Sequence, residues 1–539
     1  MKLLKYMGYL SLLAFIASSC SKKIESLQAN PNAPTSVPPQ LILGTVLTDM
    51  SGTGSQGSLG GINSWSNVHD WNQYHCQNYN YYGNNIYSWS NGSFDPYLVL
   101  KNVVQMEKEA LTRGSASVNP YEAVGRFIKA YYYYNLTSLF GDVPQAEALE
   151  APQNSTPTYT PQEQVFLYVL NELDSANTDL TALIANNDNS LSASQDIYYA
   201  GNLSAWQKLV NSFKLRVLIA LSNKASDATL NVPAQFANIF NNPTKYPIFQ
   251  SQADDLELVY NPGGADTYTT YPFNPSNFGS IAARFNMADT YVSALTNIND
   301  PRVFINCDPA WALVGNDPNP AQYKYFVGAS TGLDLGTMYA NASAGDYSFI
   351  GRYRYYSNFT GDPDVLVGYK EMLFNIAEAI ERGWISGNAE PFYKTGINES
   401  MKFYGIDTTQ TNFTAYFLPP TANAVTGVEP YSFNFTFSSY YAQPAVQLSS
   451  TTATAINQIV LQKYIAMFEN SGYEAYYNYR RTGTPAFEGG SGVGNNGVIP
   501  LRWAYPITEQ TQNKANYTAA LTNQQFTADD LNQTMWLLK

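Results

Sequence analysis

The chain has 539 residues, of which only 13% are charged, and a formal net charge of −13. That balance excludes nucleic acid as a partner, because phosphate binding needs clustered Lys and Arg. Amides, hydroxyls and 43 tyrosines replace the missing charge, a chemistry suited to neutral, hydroxyl-rich ligands.

The first element is a leader. Lys2 and Lys5 precede an apolar run from Met7 to Ile16, and Ala17, Ser18 and Ser19 lead directly into Cys20. This reads as a secretory signal over 1–19, too short for the roughly 20 apolar residues that span a bilayer. A cysteine directly after the small residues resembles a bacterial lipoprotein signal, which implies acylation of Cys20, although Ala17 stands where leucine is usual. A plainly secreted protein is the alternative. Cys76 and Cys307 remain, and their pairing is left open. Residues 20–39, polar and rich in proline, read as a lipidated tether to a single folded domain over 40–539.

A first helix is expected from Leu41 to Met50, followed by irregular structure over 51–94, rich in Gly, Asn, Trp and Tyr. Helical spacing then dominates. Asn119-Pro120 reads as a cap followed by proline at the first helical position, and Thr160-Pro161-Gln162-Glu163 as a capping box. One-sided apolar stripes include Val124, Phe127, Tyr131 and Tyr134, and later Trp206, Val210, Phe213 and Val217. The helices fall into about four neighbouring pairs: 95–111 with 119–139, 161–183 with 203–222, 365–383 with 389–404, and 452–469 with 471–481. The fold class expected is mainly α, a tetratricopeptide-like scaffold of helix pairs. Two long non-helical insertions, about 230–363 and 406–450, would carry irregular ligand-binding loops.

Several motifs carry a resemblance. They are Phe140-Gly141-Asp142-Val143-Pro144, Asp196 through Asn202 with Trp206, Asp300-Pro301-Arg302, Tyr369 through Ala379, Gln462-Lys463-Tyr464, and Arg480-Arg481-Thr482-Gly483-Thr484-Pro485. With Asn30-Pro31-Asn32 near the start, the chain resembles the SusD/RagB-like outer-membrane lipoproteins of the Bacteroidetes along nearly its whole mature length. The resemblance implies a surface-exposed, lipid-anchored protein on the outer membrane. It would capture a nutrient, usually an oligosaccharide, and deliver it to a SusC-like TonB-dependent barrel transporter. The 51–94 segment and the middle loops depart from the starch-binding members.

Sugar rings present flat C–H faces that pack on Trp and Tyr. The expected ligand residues are therefore Trp65, Trp71, Tyr74, Asn78, Tyr81 and Trp89, with Tyr268 and Trp311 from the middle loops. Tyr79 and Tyr339 belong to the same aromatic set. His69, Asp70, His75 and Cys76 fit no common zinc spacing, so no metal and no cofactor is expected. Glu371 and Glu378 lie two helical turns apart, about 10.5 Å. Glu378 is expected in a structural ion pair with Arg480 or Arg481 rather than in catalysis. Two Gly-x-Gly-x-x-Gly strings, at Gly52 and Gly492, lack a preceding strand and read as loops. The leading reading is a binding protein and not an enzyme. A surface glycoside hydrolase and a peptide-binding member of the same family are the alternatives.

Overall fold

The computed structural model describes residues 36–52, 65–79, 81, 83–261, 271–278, 282–419 and 425–539. Cys20, Tyr268 and the leader lie outside the described residues. The scaffold helices are α1 (Pro39–Met50), α2 (Pro96–Thr112), α3 (Pro120–Phe140), α4 (Gln162–Ala185), α5 (Leu203–Ala220), α6 (Tyr369–Glu381), α7 (Ala389–Phe403), α8 (Thr452–Ala466) and α9 (Glu474–Thr482). Each packs on the next from α1 to α5, and α5 then meets α6, which lies against both α7 and α8. The four expected pairs are present at nearly the expected boundaries. No helix among the described residues is long and apolar enough to cross a membrane.

Local chemistry fixes the boundaries. Asn119 Oδ1 accepts from the amides of Tyr121 and Glu122, with Pro120 opening α3. Asn202 does the same for α5 through Ser204 and Ala205. The cap of α4 differs from the expected box. Thr160 is drawn into a bridge with Val143, and its hydroxyl accepts from Ala146 N instead. The carboxylate of Asp142 caps Gln162 N at 2.8 Å. The Phe140-Gly141-Asp142-Val143-Pro144 motif thus ends one helix and starts the next.

The helix pairs enclose buried charge. Arg216 grips Glu371 through two nitrogens, at 2.8 and 2.5 Å. Glu378 receives Arg481 in a two-nitrogen grip and Arg382 at 2.7 Å. Burial alone would raise the Glu378 carboxyl, yet Arg481, with Arg382 behind it, holds it down at about 2. Arg480 is not part of this pair. It donates to the carbonyls of Leu501 and Ser138 at 2.6 and 2.8 Å, its guanidinium over the Tyr476 ring. Neighbouring helical residues point about 100° apart, so only one of the two arginines reaches Glu378.

The insertions are more regular than their sequence suggests. Residues 230–363 contain short helices at Val232–Asn241, Asp289–Thr296, Arg302–Asn306, Trp311–Val314, Leu335–Ala344 and Arg352–Tyr356. Proline, glycine and asparagine cut them too short to establish a helical period. Among the described residues, three two-stranded antiparallel ladders complete the fold: β1 (His75–Gln77) with β3 (Phe285–Met287), β2 (Leu256–Leu258) with β4 (Asp364–Val367), and the hairpin of β5 (Asn412–Phe417) and β6 (Glu429–Asn434). The hairpin buries Phe413 and Ala415 against Tyr431 and Phe433. That is the period-two pattern of a half-buried strand pair.

Segment 65–77 is tied to the chain that follows α8. Trp65 N donates to Glu469 at 2.6 Å, and Asn72 Nδ2 donates to the carbonyl of Gly472 at 2.7 Å. His75 lies between Glu469 (2.6 Å from Nδ1) and Asp70 (3.0 Å from Nε2). Burial alone would lower the imidazole pKa, but the Glu469 and Asp70 charges reverse that and push it up to about 10. The pairing stabilises the fold fully below the unfolded value near 6.5. It is lost as pH rises through about 10, at about 1.4 kcal/mol per pH unit. Lys370, which burial pushes down to about 8, acts in the opposite sense above that pH. Denaturant titrations of wild type and His75→Gln should therefore differ most near pH 6 and below, and converge toward pH 10. A difference independent of pH would remove the charge from His75.

Candidate functional site

Five of the rings and amides expected to face ligand are core residues. Trp65 is buried among Phe273, Tyr355 and Phe468 and donates its indole N–H to Tyr271 at 2.8 Å. Trp71 sits among Trp89, Tyr473 and Trp503. Tyr74 is stacked on Tyr464 at 4.6 Å, with its hydroxyl on the Tyr464 carbonyl. Asn78 is spent on Asn286 and the Ala283 carbonyl, and Trp89 is fully buried against Trp503. A ring packed on both faces offers none to a sugar. The aromatic composition of 65–89 thus builds a core that fastens this segment to the C-terminal third.

Tyr268 lies outside the described residues, and the other expected rings, Tyr81 and Trp311, reach solvent. Beyond β1 the chain loops outward, and Asn85 closes the loop from inside: its Oδ1 accepts from Gln77 N at 2.7 Å and its Nδ2 donates to Gln77 O at 3.0 Å. This clamp presents Tyr79 and Tyr81, which are 43% and 80% exposed. Tyr79 lies against Tyr339 with ring centroids 5.1 Å apart. Tyr339 is carried on helix 335–344, whose other face buries Met338 against Cys76 and Ala329. Both Cys76 and Cys307 are buried free thiols.

The same helix positions Trp311. It ends at Gly345, whose φ of +86° closes the cap, and a Cβ there would strike the Trp311 indole. The indole thus rests on bare backbone about 9 Å along the helix axis from Tyr339. Trp311 forms one wall of a cavity of about 640 Å³, with Asn316, Asp317, Phe417, Glu429 and Tyr431 among the other walls. The cavity opens between the 311–320 turn and the β5–β6 hairpin. Asp317 is held by Tyr325 OH at 2.5 Å and by Asn319 N at 2.8 Å. Those donors, Tyr325 first, hold its carboxyl below the usual range.

Of the rings expected from sequence to meet ligand, Trp311, Tyr81, Tyr79 and Tyr339 are open here, whereas Asn85 and the hairpin wall residue Phe417 are not anticipated. The alternation along 413–417 and 431–435 was the available signal for that wall. Among the described residues, no group of three or more His, Cys, Asp or Glu is arranged to hold a metal ion.

A family model for starch-binding proteins associating with the outer membrane matches residues 31–506. The chain belongs to the SusD-like family. A SusD homologue from Bacteroides fragilis superposes with a TM-score of 0.76 at 27% identity, covering 93% of this chain and 100% of its own. A second from the same species gives 0.74 at 30% identity, covering 93% and 99%. A chitin-binding SusD homologue from Flavobacterium johnsoniae gives 0.67 at 19% identity, covering 93% and 99%, which is a likeness of fold. A comparison with proteins of curated function finds no match. Here the helix pairs form a continuous scaffold, and the open rings stand outside it, Trp311 and Tyr339 on the first insertion and Tyr79 and Tyr81 on the loop after β1.

Proposed function

We propose that this SusD-like chain is a cell-surface lipoprotein, acylated at Cys20, that captures an oligosaccharide and delivers it to a SusC-like TonB-dependent barrel. The observation that carries the reading is the half-buried Trp311 at the wall of the cavity, with the exposed Tyr339 on the helix it rests against and the exposed Tyr79 and Tyr81 on the loop after β1. Flat apolar rings beside amide and carboxylate oxygens match the two faces of a sugar: C–H surface and hydroxyl rim.

Capture without turnover fits the local chemistry better than hydrolysis. A glycosidase needs one carboxyl raised so that it can act as an acid. The cavity's Asp317 is shifted the other way. Both histidines of the chain are buried at 69 and 75, away from the open rings.

The test is calorimetry on a panel of oligosaccharides and peptides, with product analysis of the same mixtures and membrane fractionation of Cys20→Ala. We expect micromolar binding to a saccharide, no released ends, and a soluble Cys20→Ala chain. Released reducing ends would replace the proposal with a hydrolase, and binding confined to peptides would replace its ligand class. Wild-type fractionation retained by Cys20→Ala would remove the anchor.

A further inference from the structure

The cavity at Trp311 has a charge of one sign. Among the described residues its walls include the carboxylates of Asp317 and Glu429 and no Lys or Arg. Asp346 adds a third carboxylate, exposed immediately after the glycine on which the Trp311 ring rests. Of the cations on the adjoining segments, Arg352 is engaged elsewhere, paired with Asp308 at 2.5 Å. Lys324 is exposed, its ammonium over the ring of Tyr325, whose hydroxyl donates to Asp317, and it adds a minor attraction to that carboxylate. Asp317 also keeps its charge, because Tyr325, Asn319 and Gln322 all donate to it.

We propose that this cavity selects by charge: it admits neutral or amine-bearing saccharides and rejects uronate- and sulfate-bearing ones, with Asp317 and Glu429 as the discriminating residues. This deepens the saccharide reading above and rests on it. A neutral hydroxyl donates to either carboxylate. A protonated amine gains their attraction and meets the indole face as a cation. A uronate brings like charge against the solvent-accessible carboxylates of this wall, a repulsion that acts in solvent and is strongest at low salt. Rejection of the wrong ligand then comes from a repulsive element built into the wall.

The experiment measures affinities of the full mature chain for maltohexaose, N-acetylchitohexaose, chitosan hexamer, hexagalacturonate and a heparin hexasaccharide. It is run at low salt and again at ~1 M salt, where the screening length falls to about 3 Å. The neutral and amine-bearing probes should bind at least about tenfold tighter than either anionic probe at low salt, and the gap should narrow at high salt. In Glu429→Lys the ratio of anionic to neutral affinity should rise about tenfold. Asp317→Asn serves as a second variant, checked for folding by circular dichroism because it also loses turn contacts.

An anionic probe that binds wild type as tightly as the best neutral one overturns the inference and leaves the saccharide reading intact. So does an anionic-to-neutral ratio unmoved in both folded variants. Silence of all five probes counts against the saccharide reading on which the inference rests.

Discussion

Replacing Trp311 with alanine should weaken saccharide binding by about 30-fold or more while leaving the melting transition within about a degree of wild type. The indole is the large flat wall of the cavity. Buried aromatic anchors at the centre of a binding surface are worth about 2 kcal/mol or more on truncation. Stability should hardly move, because the residue sits half-buried on a four-residue surface helix, against the backbone of Gly345. Trp71→Ala is the contrasting case. That ring is packed among Trp89, Tyr473 and Trp503, and its removal should cost about 3–5 kcal/mol of folding stability. Any binding loss in Trp71→Ala should follow the unfolded fraction. Calorimetry and chemical denaturation on both variants separate the roles. If Trp71→Ala stays fully stable and loses ligand, the platform lies in the N-terminal segment after all.

An equally large effect on stability is expected from Glu378→Ala, at about 3–5 kcal/mol. The carboxylate is fully buried and receives both Arg481 and Arg382. Alanine would leave the Arg481 guanidinium, only 4% exposed, without its counter-charge. The cost is that of a stranded cation more than of a lost bond. The sign with pH follows from the carboxyl held at about 2. Its contribution is present above the unfolded value near 4.5 and disappears as pH falls through about 2. Denaturant midpoints at pH 7 and near pH 2.5 check both statements, since the gap between wild type and variant should shrink on acidification. A loss below 1 kcal/mol at pH 7 would show that Arg481 finds another partner or water.

The scaffold was legible because long helices write one-sided stripes over many turns. Val124, Phe127, Tyr131 and Tyr134 mark α3 to within a residue at each end. Ion pairing at Glu378 was equally readable from a lone carboxylate between alanines. Which arginine answered it was not, since that depends on the rotation of α9 about its own axis. The ligand face was legible only in part. Trp71 and Trp311 look alike in sequence, both lying outside any long helical stripe. One turns inward because Tyr473 and Trp503, some 400 residues on in the chain, supply walls around it. The other stays open because Gly345 withholds a side chain beneath it. No local pattern encodes either circumstance. Asn85 escaped notice for a related reason: an amide that closes a loop on its own backbone has the same composition as one waiting for a ligand.

The contacts between segment 65–77 and the region after α8 set an order on biogenesis. Trp65 waits for Glu469, 404 positions downstream, and Asn72 for Tyr476. A ribosome-bound polypeptide therefore holds a tryptophan-bearing ribbon without these partners until most of the chain has emerged. Such late closure exposes sticky surface for the whole transit, so escorting chaperones have a defined stretch to shield, and a stop codon anywhere before the α8 turn leaves that ribbon bare.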